Sequence, residues 1–80
     1  MLINYITAAM RKARYEILPE GEGFFGKIDE LAGVIASADT LDGCREELQS
    51  VLEEWIILGL QLGHEIPIID GISLRMNKVA

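Results

Sequence analysis

The chain has 80 residues, half of them hydrophobic, and a net charge of −6. That length makes one domain, 1–80, and a domain so small buries only roughly 60% of the surface its unfolded form exposes, so part of the apolar half is expected to meet another chain. One cysteine and one histidine exclude an intramolecular disulfide and a zinc site, and without an export signal they point to a reducing cytoplasm.

The charge is uneven. Residues 16–70 hold all 13 acidic residues and only two basic ones, Lys27 and Arg45. Such a body repels phosphate backbones and attracts basic partners. The remaining basic residues sit at the two ends.

The first element, residues 1–12, is predicted as a short amphipathic helix. Leu2, Ile3, Ile6 and Met10 recur at steps of three and four. Arg11 and Lys12 stand where the helix dipole favours cations. The apolar run is too short to span a bilayer, so a docking helix is expected. It could lie against the strands that follow.

Residues 13–71 make the predicted core. Ala13 to Leu18 alternates Tyr15 and Ile17 with Arg14 and Glu16, as a half-buried strand does. Pro19, Gly21 and Gly23 then form a turn. The second strand places Phe24 and Ile28 on one face and Phe25 on the other. Asp29 to Gly33 breaks it, and Val34 to Ala38 is a third strand. Together these give a three-stranded antiparallel meander. A helix through Phe25, Ile28, Leu31 and Ile35 is the competing reading; Gly26 and Gly33 would each cost it about 1 kcal/mol against alanine.

The long helix is the strongest element. Asp39 and Thr40 offer an N-cap, and Asp42 suits the first turn. Leu41, Cys44, Leu48, Val51, Leu52, Trp55 and Leu62 form its apolar stripe. Gly59 lies on the stripe, where a bare backbone allows close approach to the sheet. Gly63 suits a left-handed C-terminal cap. Farther along, Ile57 and Leu60 fall on the face that carries Glu46 and Glu53 earlier, so WIILGLQL is apolar nearly all round. Trp55, Ile57, Leu58 and Leu60 are therefore the expected homodimer or tetramer interface. Pro67 confines Ile66 to Asp70 to an edge strand or extended tail. Residues 72–80 form a tail or a last short strand over Ile72 to Met76. The fold class is α+β, in the order β-β-β-α-β with an extra N-terminal helix.

The segment GEGFFGKI contains G-x-G-x-x-G, a phosphate-cradling spacing. A dinucleotide site needs that motif between a strand and a helix, whereas a strand follows here. A kinase glycine loop fits the hairpin better, but VAIK, HRD and DFG are missing. Its first two glycines are hairpin geometry, and no nucleotide or other cofactor is expected. Glu46, Glu47, Glu53 and Glu54 spread over a helix face and offer no pair in split environments. Cys44, on the core stripe, reads as an inert buried thiol. His64 reads as a loop or cap residue. No catalytic or metal site is expected, and the chain reads as a binding protein rather than an enzyme.

The ordered series YEILPEGEGFFGKI, LAGV, ADTLDGCREEL and EIP resembles the HicB-like antitoxin domain of bacterial toxin–antitoxin pairs. It departs at Asp29 and Ala32, where that family usually has proline, and at Gly43, usually glutamate. The resemblance implies a degraded RNase H-like β-β-β-α-β fold without nuclease activity. It also implies a small basic HicA-type partner, an mRNA-cleaving toxin. Many members carry a further DNA-binding domain, for which the residues after Gly71 leave no room; a ribbon-type arm over Ile72 to Met76 is the remaining option. In this reading Glu16, Glu20 and Glu22 steer the basic toxin and Phe25 supplies apolar contact. The alternative is an oligomeric interaction domain without a toxin.

Overall fold

The computed structural model describes residues 2–74. Helix α1 spans Leu2–Arg11, strand β1 Arg14–Ile17, strand β2 Phe24–Lys27, strand β3 Ile35–Ala38 and helix α2 Leu41–Gln61. The strands form one antiparallel sheet in the order β1-β2-β3. Helix α2 crosses β3 and β2, and α1 lies beside α2.

Helix α1 buries a different face from the expected one. Tyr5, Ala8 and Ala9 are fully covered, Ile6 and Met10 are half-buried, and Leu2 and Ile3 stay exposed. Two alanines on this face let the α1 backbone lie close to the core. The Tyr5 hydroxyl donates to the Pro67 carbonyl at 2.6 Å, tying α1 to the segment after α2.

In the meander, Tyr15, Gly26 and Ala36 stand side by side on the helix-facing surface. Gly26 is there because the Tyr15 ring needs the space. A Cβ on Gly26 would stand 3.0 Å from two ring carbons and 3.2 Å from Cys44 Sγ. The β1–β2 connection is a 3₁₀ turn over Pro19–Gly21, with Glu20 and Gly21 both left-handed. Ile17 was expected to be half-buried but is 80% exposed. It sits on an edge strand beyond the reach of α2.

Between β2 and β3 the chain makes two tight turns instead of a helix. Leu31 N–H donates to Ile28 C=O and Val34 N–H donates to Leu31 C=O. Ile28, Leu31 and Val34 are all buried. Their three-residue spacing resembles a helical stripe, but Gly33 at φ +96° reverses the chain.

Helix α2 opens on Thr40, whose hydroxyl accepts from the Gly43 N–H at 2.9 Å. Its buried residues are Cys44, Leu48, Leu52, Ile56 and Gly59. Ile56 replaces two residues expected on the stripe: Leu41 and Leu62, at the helix ends, project past the sheet and are exposed. Gly63 ends the helix at φ +73°, and the His64 N–H closes the cap on the Gly59 carbonyl at 2.8 Å. Gly59 admits Ile66 rather than the sheet, since a Cβ there would lie 2.8 Å from Ile66 Cδ1.

No fourth strand pairs with the sheet among the described residues. Of the edge strand and the extended tail expected for Ile66 to Asp70, the structure has an extended segment, which lays Ile66 and Ile69 into the core. It ends in a two-residue turn at Asp70 and Gly71, both left-handed, closed by a bridge between Ile69 and Ile72. The chain here is held by its isoleucines and by Tyr5, and Pro67 has no N–H to give a ladder. The expected strand or arm over Ile72 to Met76 ends outside the described residues.

Candidate partner-binding face

Helix α2 packs on one side of the sheet and α1 lies against α2, which leaves the other side of the sheet open. Strand alternation sends Arg14 and Glu16 of β1, Phe25 and Lys27 of β2, and Ile35 and Ser37 of β3 to that open surface. Two cross-strand rows result. One is Glu16–Phe25–Ser37, and the other is Arg14–Lys27–Ile35.

The two rows differ in charge. Asp29 receives Arg14 Nε at 3.4 Å and Lys27 Nζ at 3.5 Å, so one of the two positive charges of the second row is offset. Glu16, Glu20 and Glu22 have no ion-pair partner among the described residues. Negative potential is thereby concentrated at the Glu16 end, which continues into the exposed β1–β2 turn. The four predicted partner-binding residues fall in two neighbouring places: Glu16 and Phe25 are direct cross-strand partners, and Glu20 and Glu22 lie in the turn that joins their strands. Phe25 is half-buried, so one side of the ring is presented rather than the whole. Ile35, 53% exposed, adds apolar surface that sequence reasoning missed. The signal was present: in IASA the small alanines face the helix and Ile35 and Ser37 must face away.

The four residues of the predicted oligomer interface are divided by the fold. Trp55 and Leu60 pack against the chain's own core. Ile57 and Leu58 are 55% and 56% exposed and leave the helix on different sides. Leu62, expected on the core stripe, and Ile68 are further exposed apolar residues.

Chemically reactive groups do not converge on either surface. Cys44 is fully buried, its thiol donating to the Ala36 carbonyl at 3.7 Å. Burial pushes the Cys44 thiol and the Tyr5 phenol up from their ordinary values of 9.0 and 10.0. The Tyr15 phenol is also raised, by burial first, with nearby Arg45 opposing the shift and Cys44 adding to it. The fold thus favours the protonated forms, and the unfolded chain releases these protons at lower pH. Their stabilising contribution is complete below the unfolded pKa values and is lost as pH rises through the folded ones. The urea midpoint is expected to hold steady near neutrality and to fall above about pH 9. A midpoint still unchanged at about pH 11 would contradict this account. Among the described residues no group of three or more His, Cys, Asp or Glu side chains is placed to hold a metal ion. No helix among them is long and apolar enough to cross a membrane.

Residues 4–67 match a family model described as UPF0150-like. The crystal structure of TTHA0281 from Thermus thermophilus is similar, with a TM-score of 0.87 and 33% identity over 94% of this chain and 93% of that one. No curated protein matches the chain.

Proposed function

The chain belongs to the UPF0150-like family, and from that premise we propose that it is a HicB-like antitoxin, which neutralises a small basic toxin by contact and catalyses nothing itself. The residues that resemble HicB-like antitoxins, from YEILPEGEGFFGKI to ADTLDGCREEL, all fall within the matched segment. The observation that carries the reading is the open sheet surface, where Phe25 stands beside Glu16 and the unpaired acids run on into the turn at Glu20 and Glu22. Carboxylates without internal partners steer and orient a basic protein, and the ring provides apolar contact at the centre. No cofactor takes part.

The test is co-expression with the small basic protein encoded beside this gene. The native chain is expected to restore growth and to co-purify with that protein. Glu16→Lys, Glu20→Lys and Glu22→Lys together should keep the circular dichroism spectrum and weaken the complex at least about tenfold. Absence of both a complex and growth rescue by the native chain would end the antitoxin reading.

A second reading is an oligomeric interaction domain without a toxin. It is favoured by Ile57 and Leu58, two large apolar side chains exposed on one helix. In either reading the chain assembles as a homodimer or tetramer that covers exposed apolar surface of the helices, Ile57 included.

A further inference from the structure

Helices α1 and α2 run in opposite directions. Arg45, near the start of α2, is close enough to act on Tyr15, just after α1 ends. At the other end, Tyr5 of α1 bonds to Pro67, after α2 has ended. A groove of about 470 Å³ lies between the helices, with Ile3, Ile6 and Met10 on one wall and Arg45, Gln49 and Glu53 on the other. Arg11 closes the same end as Arg45.

The groove is polar at both ends. One end is basic: Arg11 and Arg45 have no ion-pair partner among the described residues. The opposite end is acidic: Glu53 accepts only from the Gln49 side chain, at 3.1 Å. Apolar side chains connect the two ends. Ile3, 77% exposed, lines the groove together with Glu53, and Ile57 follows Glu53 by one turn of α2 and is also exposed. In a chain that is otherwise acidic from residue 16 to residue 70, Arg45 is one of only two basic residues in that span.

A surface that is basic at one end, apolar along its length and acidic at the other is complementary to itself when turned through a two-fold axis. An isologous contact requires that property, because each patch must meet its own copy. We propose that the α1–α2 groove is where a second copy of this chain docks. In that arrangement Glu53 of each copy lies opposite Arg11 and Arg45 of the other. Ile3 of each enters the Ile6–Met10 end of the opposing groove. The inference rests on the self-association proposed above and specifies its surface. It leaves the open sheet face free for a different partner.

Charge reversal tests the pairing. Arg45→Glu and Glu53→Arg change exposed side chains, so both variants should keep the native circular dichroism spectrum. Sedimentation equilibrium is expected to show a dimer for the native chain. Each variant alone should dissociate at least about tenfold more readily, since like charges then face each other at both ends. An equimolar mixture of the two variants should recover dimers close to native affinity. In the mixture each introduced carboxylate faces an introduced guanidinium, and native Glu53 of one variant faces native Arg45 of the other. An oligomer indifferent to both reversals would overturn the groove assignment while leaving self-association standing. A monomeric native chain at tens of micromolar would overturn both.

Discussion

Gly23→Ala is expected to lose about 3 kcal/mol of stability and to lower the melting temperature by roughly 15 °C. Gly23 stands at φ +100°, a conformation that side chains rarely adopt. Its added Cβ would overlap the Ala38 carbonyl oxygen and crowd the Asp39 Cα at 3.3 Å. Both obstacles are main chain, so no rotamer change relieves them. The Gly23 carbonyl also accepts from the Leu18 N–H at 2.8 Å, closing the hairpin that presents Glu20 and Glu22. Moving this residue therefore disturbs the β1–β2 register and the start of α2 together. Gly21→Ala is the matched control. Gly21 is also left-handed, at φ +70°, but an added Cβ meets nothing within 4 Å. Its loss should be confined to backbone strain of about 1 kcal/mol. Urea denaturation of the two variants compares them directly, and equal losses would show that the contact with Ala38 is irrelevant.

The second large effect is at Ile56. Ile56→Ala should cost about 3–4 kcal/mol, the sum of lost burial and the cavity left behind. Ile56 is 1% exposed and belongs to the one continuous core that joins α1, α2, the β2–β3 turns and the segment after α2. Leu41→Ala removes a chain of similar size from a half-exposed position at the start of the same helix, and should cost less than about 1 kcal/mol. Since a domain of this size has only about 5 kcal/mol or slightly more in hand, Ile56→Ala brings it near unfolding at 37 °C. A denaturation midpoint for Ile56→Ala equal to that of Leu41→Ala would contradict the observed packing.

These two sites mark where sequence reasoning succeeded and where it stopped. The turn glycines were legible because φ > 0 has a residue-level signature, and Gly21, Gly23 and Gly63 all adopt it. Ile56 was missed because WIIL offers four adjacent apolar residues, and periodicity alone does not say which one meets the core. The face of α1 was misread for a related reason. Leu2, Ile3, Ile6 and Met10 outweigh Tyr5, Ala8 and Ala9 in hydrophobicity, yet it is the latter three that the core buries. The proposed partner-binding face was partly legible: strand alternation separates Phe24 from Phe25, and the acidic turn is plain in PEGE. That Asp29 takes up Arg14 and Lys27, leaving Glu16 without a counter-charge, depends on distances across the sheet.

The amino-acid sequence by itself determined the order of elements as far as the long helix, the meander, the cap of that helix and the charge imbalance. These follow from local rules: alternation in strands, three- and four-residue steps in helices, and the backbone freedom of glycine. The tertiary structure decided which side of the sheet the helices cover, and so which side is open. It also decided that the C-terminal isoleucines fill the core rather than extend the sheet, and that Arg11 and Arg45 share one end of a groove whose other end is Glu53. Those outcomes depend on how two helices and an extended segment compete for one hydrophobic surface. That competition is settled by side-chain volume and distance in three dimensions, which spacing along the chain does not record.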